Sequence, residues 1–296
     1  MKELEQGLFK FHVVLVVFVA SCFPVDCFAD QRDELTTKII EIEHRLGGRV
    51  GVAVFDTNSG SEWLYRAEER FPLMSTFKVF ACAALLSRSD LGIENLERIV
   101  PIRASAIVPW SPVTKKFIDG EGMTLEQLCE ATMTMSDNTA ANLVLEVIGG
   151  PKGFTGFMRL IGDQKTRLDR WEPALNEALP NDQRDTTTPL VALTSLQQIV
   201  EGDVLSPSSS DKIKNWMLNN KVSDSLFRLI LSNGWRIADR SGAGGNGSRG
   251  ILAVLWPPKG KPIFTTVYIT GSKASMKQRD MAISEIGSVL VQVLEE

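Results

Sequence analysis

The chain has 296 residues, 44% hydrophobic and 23% charged, with a formal net charge of −4. This composition belongs to a globular protein with a large core and one or two domains, and without a Lys/Arg run it excludes a nucleic-acid partner. The only histidines, His12 and His44, are too few for a histidine-built zinc site, and a Ser-His-Asp triad is implausible. Neither a metal nor an organic cofactor is implied.

The amino terminus reads as an export leader over residues 1–29. Lys2 and Lys10 flank a polar start, Phe11 to Phe18 is apolar, and Cys27-Phe28-Ala29 offers a cleavage site before Asp30. The apolar part is too short to span a bilayer. No later segment is long enough either, so a periplasmic protein without a stable membrane span is expected. Val19-Ala20-Ser21-Cys22 is a rival lipoprotein box with Cys22 as the anchor. Cleavage leaves Cys82 and Cys129. Export permits a disulfide between them, closing a loop of about 47 residues worth about 4 kcal/mol in the chain-entropy model. Two buried thiols are the alternative.

Asp30 to Gly47 has the pattern of a polar amphipathic helix, with His44 on its surface. Arg49 to Asp56 alternates as a strand, Asn58-Ser59-Gly60 turns, and Glu62 to Tyr65 starts a second strand. Pro72 then breaks the chain, Ser75 opens a helix, and Val79 to Leu86 is its apolar run. Thr124 with Gln127 forms a capping box, and Asn138 to Ile148 is a helix ended by Gly149-Gly150-Pro151. Arg167 to Asp185 lacks periodicity and reads as a long functional loop. Thr188-Pro189 opens another helix. Strands return at Arg236 to Arg240, Ile251 to Trp256 and Pro262 to Thr270. Ser275 to Leu294 closes the chain as a helix striped by Met281, Ile283, Ile286, Val289, Leu290 and Val293. Strands at both ends and helices between them indicate an α/β fold. Residues 30–74 and 221–296 would form a discontinuous α/β domain, with residues 75–220 an inserted all-helical domain carrying the 167–185 loop.

Ser75 and Lys78, three apart on one helix face, pair a weak nucleophile with a group able to activate it. The motif alone is weak, and Ser209-x-x-Lys212 repeats it with no reactive partners. Three further segments strengthen it: Ser136-Asp137-Asn138 at a helix start, Glu172-Pro173-Ala174-Leu175-Asn176 in the long loop, and Arg240-Ser241-Gly242-Ala243-Gly244 at a strand end.

Together these four segments resemble the class A serine β-lactamases over essentially the whole mature chain. The resemblance implies a β-lactamase/transpeptidase-like fold, with an antiparallel sheet flanked by terminal helices. It implies a small-molecule β-lactam substrate, and a monomer is expected, although nothing in the residues reads out the oligomeric state. Ser75 would attack the ring carbonyl, with the N–H groups of Ser75 and Ala243 as oxyanion hole. Ser136 would pass a proton to the ring nitrogen, with Lys78 tuning it. Asp137 would cap its helix and Asn138 would bind a substrate side-chain amide. Glu172 would activate water held by Asn176, after a cis peptide bond before Pro173. An Arg170–Asp185 ion pair would clamp the loop. Ser241, Arg240 and Arg249 would bind the substrate carboxylate. Trp110 is either the aromatic at the site entrance or a packing residue.

Arg240 stands where most relatives have Lys, and an Arg-Ser-Gly triplet marks the carbenicillin-hydrolysing subgroup. Good turnover of penicillins and carboxypenicillins follows. Met74 and Gly244, where some carbapenem-hydrolysing relatives have cysteines, imply weak carbapenem turnover. A cell-wall D,D-peptidase and a β-lactam sensor domain are the rival readings. Neither has a use for the Glu172–Asn176 arrangement.

Overall fold

The structure is a computed structural model that describes residues 26–295. The leader's basic start and apolar run, His12 and Cys22 lie outside them. Helix α1, Asp26–Leu46, leads into the hairpin of β1, Arg49–Asp56, and β2, Glu62–Tyr65. The short strand β3, Phe71–Pro72, precedes a 3₁₀ turn over Met74–Thr76 and helix α2, Phe77–Asp90. Short strands β4, Ile99–Val100, and β5, Met123–Thr124, pair with each other. Helices α3, Leu125–Met135, α4, Asn138–Ile148, and α5, Gly150–Leu160, follow. The long loop ends at β6, Thr186–Thr187, which pairs with β3. Helices α6, Pro189–Val200, and α7, Pro207–Leu218, complete the helical part. Strands β7, Arg236–Gly244, β8, Ser248–Trp256, and β9, Ile263–Thr270, and helix α8, Met276–Glu295, finish the chain.

Five strands form one antiparallel sheet in the order β2-β1-β9-β8-β7. It joins the two ends of the chain, because β1 pairs with β9. Period-two alternation divides the side chains between two cores. Val50, Val52, Val54, Ile251 and Leu255 pack with Leu35, Ile39 and Ile42 of α1 and with Ile283, Ile286 and Leu290 of α8. On the opposite face Ala53, Leu252, Val254 and Phe264 join the core of the middle helices. Every residue of α2 from Phe77 to Leu86 is buried. A helix enclosed on all sides belongs at the centre of a core, and this one carries Lys78 in with it. No described helix is long and apolar enough to cross a membrane.

The expected elements mostly stand where the pattern puts them, and the differences have physical causes. Gly149-Gly150-Pro151 ends α4 but also opens α5. Gly149 takes a left-handed φ of 94° as the cap, and Pro151 sits in the first turn of the next helix. Strand β7 runs on past Arg240 to Gly244, paired with β8 throughout. Met281, assigned to the apolar stripe of α8, is exposed, because it lies off the face that meets the sheet. Cys82 and Cys129 are not bridged. They stand as two free thiols between α2 and α3, fully buried, where each fills core volume as a small apolar side chain. Burial and the adjacent Cys82 push the Cys129 thiol well above its usual range.

Asp137 is fully buried and ties two segments together. Its Oδ1 accepts from the Ala140 N–H at 2.9 Å, capping α4, and its Oδ2 accepts from the N–H groups of Val113 and Thr114, each at 2.9 Å. Removing it strands these three backbone N–H groups and the Thr114 hydroxyl, which also donates to it. Asp137→Ala is expected to cost about 2–4 kcal/mol, measured as a lower urea midpoint at unchanged m-value.

Candidate active site

The 3₁₀ turn carrying Ser75 lies where the first turn of α2 meets the outer edge of the sheet. Met74, fully buried with φ 49°, turns the chain sharply out of β3. Strand β7 passes directly alongside. A Cβ on Gly242 would come within 2.7 Å of the Ser75 backbone nitrogen, so this strand approaches the nucleophile only because residue 242 has no side chain.

One turn into α2, the Lys78 amine is fully buried. It donates to Ser136 O at 2.9 Å, Ser136 Oγ at 3.1 Å and Asn138 Oδ1 at 2.6 Å, and lies 3.2 Å from Glu172 Oε1. Burial is the main influence and pushes its pKa down to about 8. Glu172 opposes that shift and Arg240 adds to it. Ser136, left-handed at φ 58°, ends α3 and faces back toward α2. Its hydroxyl accepts from Lys78 and from Arg240 Nη2 and donates to Ser75 Oγ at 3.2 Å. With both lone pairs filled by cationic donors, the Ser136 proton is directed at Ser75.

The long loop carries Glu172 and Asn176. Its carboxylate is 3% exposed and accepts from Asn176 Nδ2 at Oε2. Glu172 Oε1 faces the Lys78 amine at 3.2 Å, while Asn176 Oδ1 is buried without a hydrogen-bond partner among the described residues. The Glu172–Pro173 peptide bond is cis. Asn142 holds the Glu172 backbone from α4, donating to its carbonyl and accepting from its N–H, both at 2.9 Å. The loop's ends are closed by Arg170 Nε on Asp185 Oδ2 at 2.6 Å, and Asp185 Oδ1 accepts from the N–H groups of Asp169 and Arg170.

On the β7 side, Arg240 is fully buried, and burial lowers its guanidinium to about 10, still cationic at neutral pH. Among the described residues it has no carboxylate within ion-pair distance. The neighbouring carboxylate of Asp239 is taken by Arg228, at 2.5 Å. Arg249 donates from Nε to Asp280 Oδ1 at 2.6 Å and from Nη1 to Gly242 O at 3.1 Å. Ser75, Ser136, Asn138, Asn176, Arg240, Ser241, Gly242, Ala243, Arg249 and Trp110 all border one cavity of about 440 Å³. Lys78 and Glu172 stand buried beside its reactive serine. Trp110 is 61% exposed, with φ 63°, and its ring N–H bonds Met135 O at 3.1 Å. It is therefore a rim residue and not core packing. A larger cavity of about 850 Å³ lies between the long loop and the ends of β1 and β9. Its walls hold no nucleophile paired with a base.

A family model described as "Beta-lactamase enzyme family" matches residues 34–294. An ancestral class A β-lactamase structure superposes with a TM-score of 0.86 at 48% identity, covering 87% of this chain and 99% of its own. The chain belongs to the class A β-lactamase family. The β-lactamase AER-1 of Aeromonas hydrophila is 48% identical over 278 residues, 94% of this chain and 91% of its own. The β-lactamase PSE-4 of Pseudomonas aeruginosa is 44% identical over 284 residues, 96% and 98% of the two chains. The chromosome-encoded β-lactamase of Vibrio parahaemolyticus superposes with a TM-score of 0.86 at 50% identity, over 88% of this chain and 99% of that one. This chain is thus a serine β-lactamase that hydrolyses the β-lactam ring of penicillins and confers resistance to them. The peptidase and sensor readings fall away.

Sequence reasoning missed several supports of this β-lactamase site. Asn142 stands four residues after Asn138 on the same face of α4, a spacing that was available as a signal. Asp280 and Asn220 carry no local motif. The Lys78–Glu172 pair makes a prediction with a definite sign. Removing the Glu172 charge takes away an influence that raises the Lys78 pKa. In Glu172→Gln the Lys78 amine should therefore titrate below the value of about 8, read by ¹³Cε-lysine NMR against pH.

Proposed function

We propose that Ser75 attacks the β-lactam carbonyl while its proton passes to the Lys78–Glu172 pair. The C–N bond of the ring opens, and the ring nitrogen takes the proton of Ser136, which Lys78 replenishes. Strand β7 is an edge strand, so alternate N–H groups on its outer side are free of sheet pairing. The N–H groups of Ala243 and Ser75 form the oxyanion hole. Glu172 then removes a proton from a water held with Asn176, that water attacks the Ser75 ester, and the acyl C–O bond breaks as Glu172 returns the proton to Ser75 Oγ. The observation that carries this reading is the buried carboxylate of Glu172, paired through Oε1 with Lys78 at 3.2 Å, beside an Asn176 amide oxygen that has no hydrogen-bond partner among the described residues. Asn138 bonds the substrate side-chain amide through Nδ2, since its Oδ1 is held by Lys78. Trp110 borders the entrance.

Ser241, Arg240 and Arg249 receive substrate carboxylate. Arg240 has no carboxylate partner of its own among the described residues and offers a full charge, which suits penicillins with a second carboxylate on the side chain. The enzyme works as an exported periplasmic monomer after loss of residues 1–29. Residues 75–220 form the helical domain, and residues 30–74 with 221–296 form the α/β domain.

Protein mass followed during penicillin turnover tests the two-step scheme. The wild type should turn over many equivalents, while Glu172→Ala should hold one adduct on Ser75. A wild type stalled at one adduct would remove the role given to Glu172 and Asn176. In steady-state kinetics, carbenicillin should be hydrolysed with a kcat/KM within about tenfold of ampicillin, a gap of about 1.4 kcal/mol, and imipenem far more slowly. Poor carbenicillin turnover would remove the role given to the Arg240 charge.

A further inference from the structure

Behind Ser241 lies a short buried polar chain that none of the motifs includes. Asn220 Nδ2 donates to Ser223 Oγ at 2.6 Å, and Ser223 Oγ donates to Ser241 Oγ at 2.9 Å. Asn220 is 2% exposed and Ser223 fully buried. The direction of this chain is fixed by backbone groups. Asn220 Oδ1 accepts from the Val222 N–H at 3.1 Å, and a backbone N–H can only donate. Its Nδ2 also donates to the Asp239 carbonyl at 3.1 Å, which can only accept. The amide therefore cannot be reversed, and its Nδ2 must face Ser223. Ser223 Oγ accepts that bond and donates its own proton to Ser241 Oγ. Ser241 accepts in turn and has its own proton left to give, and its one acceptor among the described residues is the Val222 carbonyl at a long 3.3 Å.

We propose that Asn220 and Ser223 are positioning residues that orient the Ser241 hydroxyl as an obligate donor to the carboxylate beside the β-lactam ring. The inference rests on the reading that Ser241 binds that carboxylate. The chemistry is directional: three aligned N–H and O–H dipoles end on an anion, each polarising the next. Asn220 does a second thing that an acid could not. Its Oδ1 lies 3.5 Å from Arg240 Nη1. A carboxylate there would pair with that guanidinium and draw its charge away from the substrate. It would also accept from Ser223 and reverse the chain.

The test uses benzylpenicillin and its methyl ester, which lacks the anion, and compares kcat and KM for both. Ser241→Ala should lower the acid-to-ester ratio of kcat/KM. An unchanged ratio would overturn the Ser241 reading itself, and this inference with it. Given that loss, Ser223→Ala should raise KM for the acid about three- to tenfold at unchanged kcat, leaving the ester unaffected, as expected for one lost oriented hydrogen bond. Asn220→Asp should do the same more strongly. The proposal is overturned if Ser241→Ala lowers the ratio while Ser223→Ala and Asn220→Asp keep the wild-type ratio. It is equally overturned if those two variants slow acid and ester alike, the result of a merely structural role.

Discussion

The site is organised by one ammonium group held out of water. Lys78 enters the core because α2 is buried on every side, and a lone charge there would cost several kcal/mol. Its neighbours offset that cost. Ser136 presents both a carbonyl and a hydroxyl, Asn138 its amide oxygen and Glu172 its carboxylate. Each of these groups comes from a different element, so satisfying one amine brings the end of α3, the start of α4 and the long loop into register. The geometry around the nucleophile is in this sense a by-product of solvating Lys78.

The opposite wall is built by the sheet. Strand β7 has a neighbour on one side only, and the side without one borders the cavity. The missing Cβ of Gly242 brings it against Ser75. Charges on this wall are sorted by their partners. Asp239 belongs to Arg228 and Asp280 to Arg249, while among the described residues Arg240 donates to neutral oxygens alone, the Ser136 hydroxyl and the Asn220 amide. The nucleophile thus lies at the seam between the helical core and the sheet, and neither half makes the site alone.

Much of this was legible in the residues. Ser75, Lys78, Ser136, Asn138, Glu172 and Asn176 lie in short motifs, because each must hold a neighbour at a fixed local offset. The Asp137 cap was legible for the same reason, and the Arg170–Asp185 clamp because opposite charges stand at the two ends of the aperiodic loop. Helix α5 was not, since Gly149-Gly150-Pro151 is equally the end of one helix and the beginning of another. The exposure of Met281 was hidden because a stripe read from periodicity does not say how far round the helix the sheet reaches. Asn142, Asn220 and Asp280 act on backbone or on residues distant in sequence, and such contacts leave no local pattern. Export context favours a Cys82–Cys129 bridge, and the structure has two free thiols there instead, because a pair of cysteines in a permissive compartment does not by itself say whether they are joined.

Gly244 connects the two walls in a way that bears on how such an enzyme can change. A side chain there would meet the Asn176 carbonyl at 2.8 Å, and the same carbonyl accepts from the Gly245 N–H at 2.8 Å. Any substitution at this position would push β7 away from the long loop and widen the cavity for bulkier drugs. The same push would bear on the segment that holds Asn176 beside Glu172. Broader substrate range and rapid release of the acyl group are therefore opposed through a single backbone contact, and an adaptive path through residue 244 would call for compensating changes in the loop.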